Sequence, residues 1–208
     1  EARSMHGQMP LIWDKAEGLQ IYDEWGNVWI DFTSTIFVAN AGHGNKRIIE
    51  ALKKGLIKPL LHTYTYVSNE RIEYLEYLIK NTPKQFEKAF LLSAGTEATE
   101  AALKLMRLNG KKQGKRKGGI ICFNGAYHGR TMGAQMMTGS DSAKEWVGYQ
   151  DPNIHHVKFP YPWEVKNPKV FFESEIDKLL IEKDLDPDKD LCGFMLESFQ
   201  GWGAIFYP

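Results

Sequence analysis

Leu91-Leu92-Ser93-Ala94-Gly95-Thr96-Glu97-Ala98-Thr99-Glu100-Ala101-Ala102-Leu103-Lys104-Leu105 runs from an apolar segment through a small-residue turn into a helix, and the reading of this junction decides the fold. Ala89 to Leu92 is an apolar run closed by Ser93 and Gly95, which predicts a buried strand. Ala98, Ala101, Ala102, Leu105 and Leu108 then recur at helical spacing. Gly95 allows a ligand to approach the backbone, and Thr96 offers a cap or a hydroxyl. The free N–H groups of the first helical turn carry the positive end of the helix dipole. A phosphate suits such a place. On spacing alone, an ordinary strand-to-helix connection in which Glu97 and Glu100 complement the dipole fits equally well.

Two further strand ends add chemistry. Gly119-Ile120-Ile121-Cys122-Phe123 predicts a strand, followed by Asn124-Gly125-Ala126-Tyr127-His128-Gly129-Arg130-Thr131, where a Tyr-His pair between glycines presents an aromatic face and an imidazole on a loop. Leu191 to Leu196 predicts a third strand, and Glu197-Ser198-Phe199-Gln200-Gly201 puts a carboxylate and an amide just beyond it. In open parallel α/β sheets, ligands bind beyond the carboxyl ends of the strands.

Together these segments resemble the class III aminotransferases, pyridoxal-phosphate enzymes of fold type I. Ala16 to Phe32 looks like the opening hairpin of that family, and Asn40-Ala41-Gly42-His43-Gly44-Asn45 like its Gly-His loop. Ser93 to Ala98 is similar to its phosphate-binding turn and Ala126 to Gly129 to its ring-stacking loop. Glu197 with Gln200-Gly201 is similar to its Glu-Pro-x-Gln-Gly motif. The resemblance covers essentially the whole chain, and the order of the motifs is more specific than any one of them.

The resemblance implies roles. Gly95 and Thr96 would bind the phosphate of pyridoxal 5′-phosphate, Tyr127 would stack on its ring with His128 alongside, and Glu197 would sit near cofactor and substrate as the catalytic-site carboxylate. The cofactor is the electron sink, which leaves the protein to anchor, tilt and polarise it. Three departures stand out: Ala94 where the family usually has serine or glycine, Ser198-Phe199 inside the Glu-Gln motif, and Trp202 after it. The family's Schiff-base lysine and pyridinium aspartate lie further toward the carboxyl terminus than Pro208. Lys104 lies within the helical pattern and Lys111 to Lys117 in a loop, so neither supplies the lysine. The chain therefore reads as the amino-terminal half of an aminotransferase, a fragment not expected to complete transamination alone.

The implied parent activity moves an amino group between an amine or amino acid and an oxo acid or aldehyde. An aminomutase, decarboxylating aminotransferase or racemase of the same family is the alternative, and a non-catalytic binding or oligomerisation fragment is the alternative of another class. The resemblance also implies a homodimer.

Composition is consistent with this reading. The 208 residues are 43% hydrophobic, enough for one sizeable core, and Lys+Arg 26 against Asp+Glu 26 leaves no net field for nucleic acid or anionic membrane. The basic run Lys111 to Lys117 reads as a solvated linker. Cys122 and Cys192 sit in apolar strand patterns, which predicts buried thiols and a reducing compartment, with the cytoplasm as default. No apolar run approaches the roughly 20 residues that span a bilayer. His155-His156 lacks partners at ligand spacing and reads as a surface pair, so no metal site is expected. His43 reads as structural; Trp13, Phe37 and Val38 either line the substrate entrance, as the resemblance implies, or serve as packing residues. Glu1 in place of methionine suggests a trimmed amino end, and removal of a leader or tag would look the same.

The expected fold is α/β, a mostly parallel sheet covered by helices with a small amino-terminal hairpin portion. Strands are expected at Leu19 to Asp23 and Val28 to Phe32, and helices at Lys46 to Ile57, from Ser68 to Lys80, and from Glu173 to Glu182. Residues 1–45 are assigned to the small domain and 46–208 to the cofactor domain.

Overall fold

A computed structural model describes residues 11–60, 62–63 and 65–208. The trimmed amino end inferred above falls on residues outside this range. The chain forms two compact units, one up to Glu87 and one from Lys88 to Pro208.

The first unit carries an antiparallel sheet of β1 (Trp13–Glu17), β2 (Gln20–Asp23) and β3 (Val28–Ile30), in the order β1-β2-β3. The hairpin expected from the sequence is its β2–β3 portion, and β1 is an addition. Asp23 organises the β2–β3 turn. Its carboxylate accepts from the backbone N–H groups of Trp25 and Asn27, the Asn27 amide and the Trp29 indole. Asp31 does the same for the next segment, accepting from Thr33 N–H and hydroxyl and meeting His43 Nε2 at 2.8 Å. The His43 contact, reinforced by Thr33, holds the Asp31 carboxyl down at about 2. Asp31 thereby anchors a turn in which Ser34, Thr35, Ile36 and Phe37 all adopt left-handed backbone angles. Such angles disfavour non-glycine residues, so the polar anchor is needed. His43 also pairs by backbone with Gly18, the structural part read from the sequence.

Helix α1 (Lys46–Ile57) has the expected bounds, with Asn45 accepting from Arg47 and Ile48 N–H. Helix α2 (Asn69–Lys80) follows its Ser68 cap.

The second unit is built on a parallel sheet of β4 (Gly119–Phe123), β5 (Ile154–Val157) and β6 (Leu191–Met195), in the order β5-β4-β6. Strand β4 is buried from end to end, which explains its unbroken apolar sequence. Ile121 and Phe123 face one core with Val157, Phe159 and Leu179. Ile120 and Cys122 face the other with Leu103 and Met137. Helix α3 (Gly95–Lys112) contributes Leu103, and α5 (Pro168–Glu182) contributes Leu179. Short helices α4 (Met132–Met137) and α6 (Pro187–Asp190) complete the crossovers. The α/β architecture with a parallel sheet, helices and an amino-terminal antiparallel hairpin is the one expected.

Several local readings change. Ala89 to Leu92 forms no strand: among the described residues no strand pairs with it, and Phe90, Leu91 and Leu92 stay exposed. An apolar run becomes a strand only where a neighbour takes up its N–H and C=O groups. The histidine pair is not on the surface. His155 is buried on one face of β5, while half-buried His156 on the other lies 3.1 Å from the Met137 carbonyl through Nε2. Cys122 is fully buried, and burial pushes its thiol up to about 12, whereas Cys192 is half-buried.

The basic run is not merely a solvated linker either. Arg116 makes a two-pronged pair with Asp190, at 2.9 Å through both Nε and a terminal nitrogen, while Lys115 and Lys117 donate to the Asp188 and Asp184 carbonyls. Asp190 is fully buried, and it also accepts from Asp186 N–H. That backbone donor and then Arg116 hold its carboxyl below the usual range. The charge run docks because its carbonyl and carboxylate partners come from a turn some 70 residues away, which local composition does not reveal.

Two predictions follow from this packing. A Cβ at Gly110 would lie 2.0 Å from Cys192 Sγ, so α3 packs flush on β6. Gly110→Ala is expected to cost about 1–3 kcal/mol in urea unfolding, with part of the loss recovered by adding Cys192→Ala. The Asp190 contribution is present above its unfolded pKa of about 4 and is lost as pH falls through the lower folded value. Denaturation from pH 7 to 3 should therefore show wild type losing its advantage over Asp190→Asn below about pH 4; parallel curves would contradict it.

Candidate cofactor site

The site lies in the second unit, where the ends of β4 and β6 meet the start of α3. The cap position of α3 is Ala94, extended and without a side chain able to cap. Glu97 folds back instead, accepting from Ser93 N–H at 2.9 Å and from the Ser93 hydroxyl, which holds its carboxyl low. The first helical bond runs from Ala98 N–H to the Ala94 carbonyl. No described residue accepts from the N–H groups of Gly95, Thr96 or Glu97. A Cβ built on Gly95 meets nothing within 4 Å, so this helix start opens on free space.

The loop after β4 closes over the first turn of α3. Gly129 has a φ of 134°, and a Cβ there would lie 2.6 Å from Thr96 Oγ1, so this position requires glycine for both backbone and space. Thr99 shares its hydroxyl proton between the Thr96 carbonyl at 2.8 Å and the His128 carbonyl at 2.6 Å. His128 N–H donates to Thr138 Oγ1 at 3.0 Å. The His128 ring is buried, its Nε2 lacks a partner among the described residues, and burial pushes its pKa down to about 4. The ring is therefore neutral at physiological pH.

Tyr127 faces outward. Its N–H donates to Glu197 Oε1 at 2.9 Å, while the residue is 42% exposed and its ring lies nearly parallel to Trp202. The other oxygen of Glu197 accepts from Gly201 N–H at 3.1 Å, and its carbonyl accepts from the Tyr207 hydroxyl. Buried Gln200 donates through Nε2 to the Asn124 carbonyl at 2.9 Å, and its backbone pairs with Ile205. Gly125, at a φ of 76°, makes room for it. Glu197 and Gln200 thus staple the loop after β6 to the loop after β4.

The five residues singled out in the sequence therefore stand in one unit. Thr96 lies under Gly129, Gly95 opens on free space beside it, and Glu197 holds Tyr127 directly. Trp13, Phe37 and Val38 belong to the other unit. Sequence reading missed Thr99, and it gave Glu100 only a place at the dipole of α3. Thr99 is one helical turn beyond Thr96 and so shares its face, a spacing that was available. Glu100 caps α4 from outside, accepting from Gly133 and Ala134 N–H at 2.9 and 3.0 Å and from the Thr131 hydroxyl. No local spacing announces that contact. Among the described residues no group of three or more His, Cys, Asp or Glu side chains could hold a metal ion.

Unpaired N–H groups beside open space suit an oxyanion, and a half-exposed tyrosine ring suits a flat ring. The residues fit a phosphate-bearing aromatic cofactor. The architecture is that of an α/β unit on a parallel sheet. The aminotransferase class-III family model matches residues 2–208, and the chain belongs to that family.

The acetylornithine aminotransferase of Clostridium acetobutylicum is 40% identical over 156 residues, covering 74% of this chain and 40% of the relative. The mitochondrial acetylornithine aminotransferase of Candida glabrata is 34% identical over 195 residues, covering 90% and 42%. An (S)-enantioselective omega-transaminase from Thermomicrobium roseum superposes with a TM-score of 0.85 at 24% identity, over 100% of this chain and 48% of that one. The taurine:2-oxoglutarate aminotransferase of Bifidobacterium kashiwanohense, solved with PLP and glutamate, gives 0.79 at 22%, over 93% and 44%. At such identities the superpositions establish the shared fold. The chain spans less than half the length of these relatives.

Thr99→Val keeps the shape of the side chain and removes the hydroxyl. It is expected to speed amide exchange at His128 to Arg130 by roughly five- to ten-fold, the equivalent of one ordinary hydrogen bond, while protection in the middle of α3 stays unchanged.

Proposed function

We propose that this chain supplies the phosphate-anchoring and ring-stacking half of a pyridoxal 5′-phosphate-dependent aminotransferase active site. The observation that carries the reading is the set of unpaired N–H groups at Gly95 to Glu97 beside open space, with Tyr127 and Glu197 in the loops adjoining it. The proposed reaction of the whole protein moves an amino group between an amine or amino acid and an oxo acid or aldehyde. When bound, pyridoxal phosphate supplies an electron sink next to the reacting carbon.

The residues of this chain do the rest of the work assigned to them. The N–H groups of Gly95, Thr96 and Glu97, reinforced by the helix dipole, bind the phosphate, with the Thr96 hydroxyl as a further donor. Backbone donors suffice there, so Ala94 in place of a hydroxyl residue is tolerated. Tyr127 lays its ring against the pyridine face. Glu197 orients that contact by fixing the Tyr127 backbone, a positioning task rather than proton transfer, since both of its oxygens are taken by N–H groups. His128 stays uncharged beside the anion site, so it packs under the loop and adds no charge there.

Small-molecule amino donor and oxo acceptor are the proposed partners. The names of the relatives, acetylornithine and ornithine aminotransferases, support an amino-acid donor. A homodimer is proposed as well, supported by the large apolar side chains that both units leave exposed, Phe32, Val38 and Phe90 among them. Residues 1–45 are proposed for the small domain and 46 onward for the cofactor domain, with every candidate cofactor contact in the unit from Lys88. Two free thiols suit a cytoplasmic setting. Among the described residues no helix is long and apolar enough to cross a membrane.

Titration with pyridoxal 5′-phosphate, followed by visible absorbance and tryptophan quenching, tests the reading with Gly95→Asp as the diagnostic variant. The open space at Gly95 accommodates the new side chain, so the melting temperature should hold while like-charge repulsion weakens binding by roughly ten-fold or more. Equal binding by wild type and Gly95→Asp would remove the proposed phosphate site.

A further inference from the structure

Tyr127 is held firmly at its backbone and loosely at its ring. Its N–H is fixed on Glu197 Oε1, and the residue is 42% exposed. Backbone anchoring does not set the plane of a tyrosine ring, because χ1 and χ2 remain to be decided. Among the described residues, the ring alongside it is that of Trp202, with centroids 6.5 Å apart and planes inclined by only 21°. That is within the range of offset aromatic stacking.

Trp202 is itself presented with some care. It stands in the 3-10 turn Gly201–Gly203, at the tip of a loop whose stem is the two-way backbone pair of Gln200 and Ile205. Gln200 is buried and tied to the Asn124 carbonyl. Gly201 N–H occupies Glu197 Oε2, the second oxygen of the carboxylate whose first oxygen holds Tyr127. One carboxylate therefore fixes the starting points of both rings. Trp202 remains 68% exposed.

We infer that Trp202 is a positioning residue that sets the tilt of Tyr127, and through it the stacking surface offered to the cofactor ring. This rests on the cofactor reading above and adds to it a residue that contacts Tyr127 rather than the phosphate. Its effect belongs to the ring half of the ligand alone. Truncating Trp202 frees the Tyr127 ring to turn and weakens binding of any pyridine-type ring, while the oxyanion site at Gly95 to Glu97 is untouched.

The test uses the 208-residue chain and three probes, pyridoxal 5′-phosphate, pyridoxal and inorganic phosphate, with dissociation constants from fluorescence and competition. Trp202→Ala should weaken pyridoxal phosphate and pyridoxal alike by roughly three- to ten-fold, the scale of one aromatic contact, and leave inorganic phosphate unchanged. Trp202→Phe should stay within about two-fold of wild type, since it keeps a flat ring. Trp202→Leu, which keeps bulk without a plane, should behave as alanine does and carries the test if the alanine variant fails to fold. Unchanged pyridoxal binding in both non-aromatic variants overturns the inference and leaves the cofactor reading standing. Equal weakening of phosphate and pyridoxal also overturns it, because that marks general loss of structure. A wild-type chain that binds neither pyridoxal nor its phosphate overturns both.

Discussion

Glu197 commits one carboxylate oxygen to Tyr127 N–H and the other to Gly201 N–H, and through this single side chain the ends of β4 and β6 share one anchor. Parallel strands place their carboxyl ends side by side, but the loops beyond them have no ladder to hold them. A buried or half-buried N–H without an acceptor is costly, so a carboxylate that satisfies two of them at once is an economical clamp. Gln200 repeats the connection three residues later through the Asn124 carbonyl, and Thr99 makes it from α3 through the His128 carbonyl. The Tyr127–His128 loop is thereby fixed from two elements, the loop after β6 and α3, and its position relative to the open N–H groups of α3 follows.

The same device recurs wherever this chain must hold irregular backbone. Asp23 shapes the β2–β3 turn, Asp31 supports four consecutive left-handed residues, Glu100 caps α4 from the side, and Asp190 fastens the basic run to the turn before β6. In each case an acidic side chain accepts from donors that the local fold leaves over. The even balance of acidic and basic residues therefore conceals a division of labour: a good part of the acidic set is structural. This also explains why Glu97 and Glu100, both suited by sequence to the dipole of α3, do different things. Glu97 turns back to Ser93, and Glu100 serves another helix.

The exposed apolar residues fit a chain that belongs to the class III aminotransferase family and spans less than half the length of its relatives. Phe90 to Leu92 are exposed and pair with no strand among the described residues. The proposed cofactor contacts lie elsewhere. They come from α3, the β4 loop and the β6 loop, which pack on one another within the unit from Lys88.

Sequence alone determined the elements whose pattern is local. Helix α1, helix α2 with its Ser68 cap, the unbroken apolar run of β4 and the Gly95 helix start were all legible, because periodicity and capping are set by neighbours in the chain. Gly95, Thr96, Tyr127, His128 and Glu197 could be named because the order of motifs resembles the class III aminotransferases; Tyr127, His128 and Glu197 follow strands β4 and β6, and Gly95 and Thr96 open α3. Other features were decided by tertiary structure. Whether Ala89 to Leu92 pairs, where His155 and His156 point, what the basic run binds, and which acceptors Thr99 and Glu100 find all depend on groups brought in from distant parts of the chain. The roles of Glu197 and Trp202 are of this second kind. Hydrogen bonds and ring contacts between loops leave no period in the sequence, and only the folded backbone brings Tyr127, Glu197 and Gly201 within reach of one another.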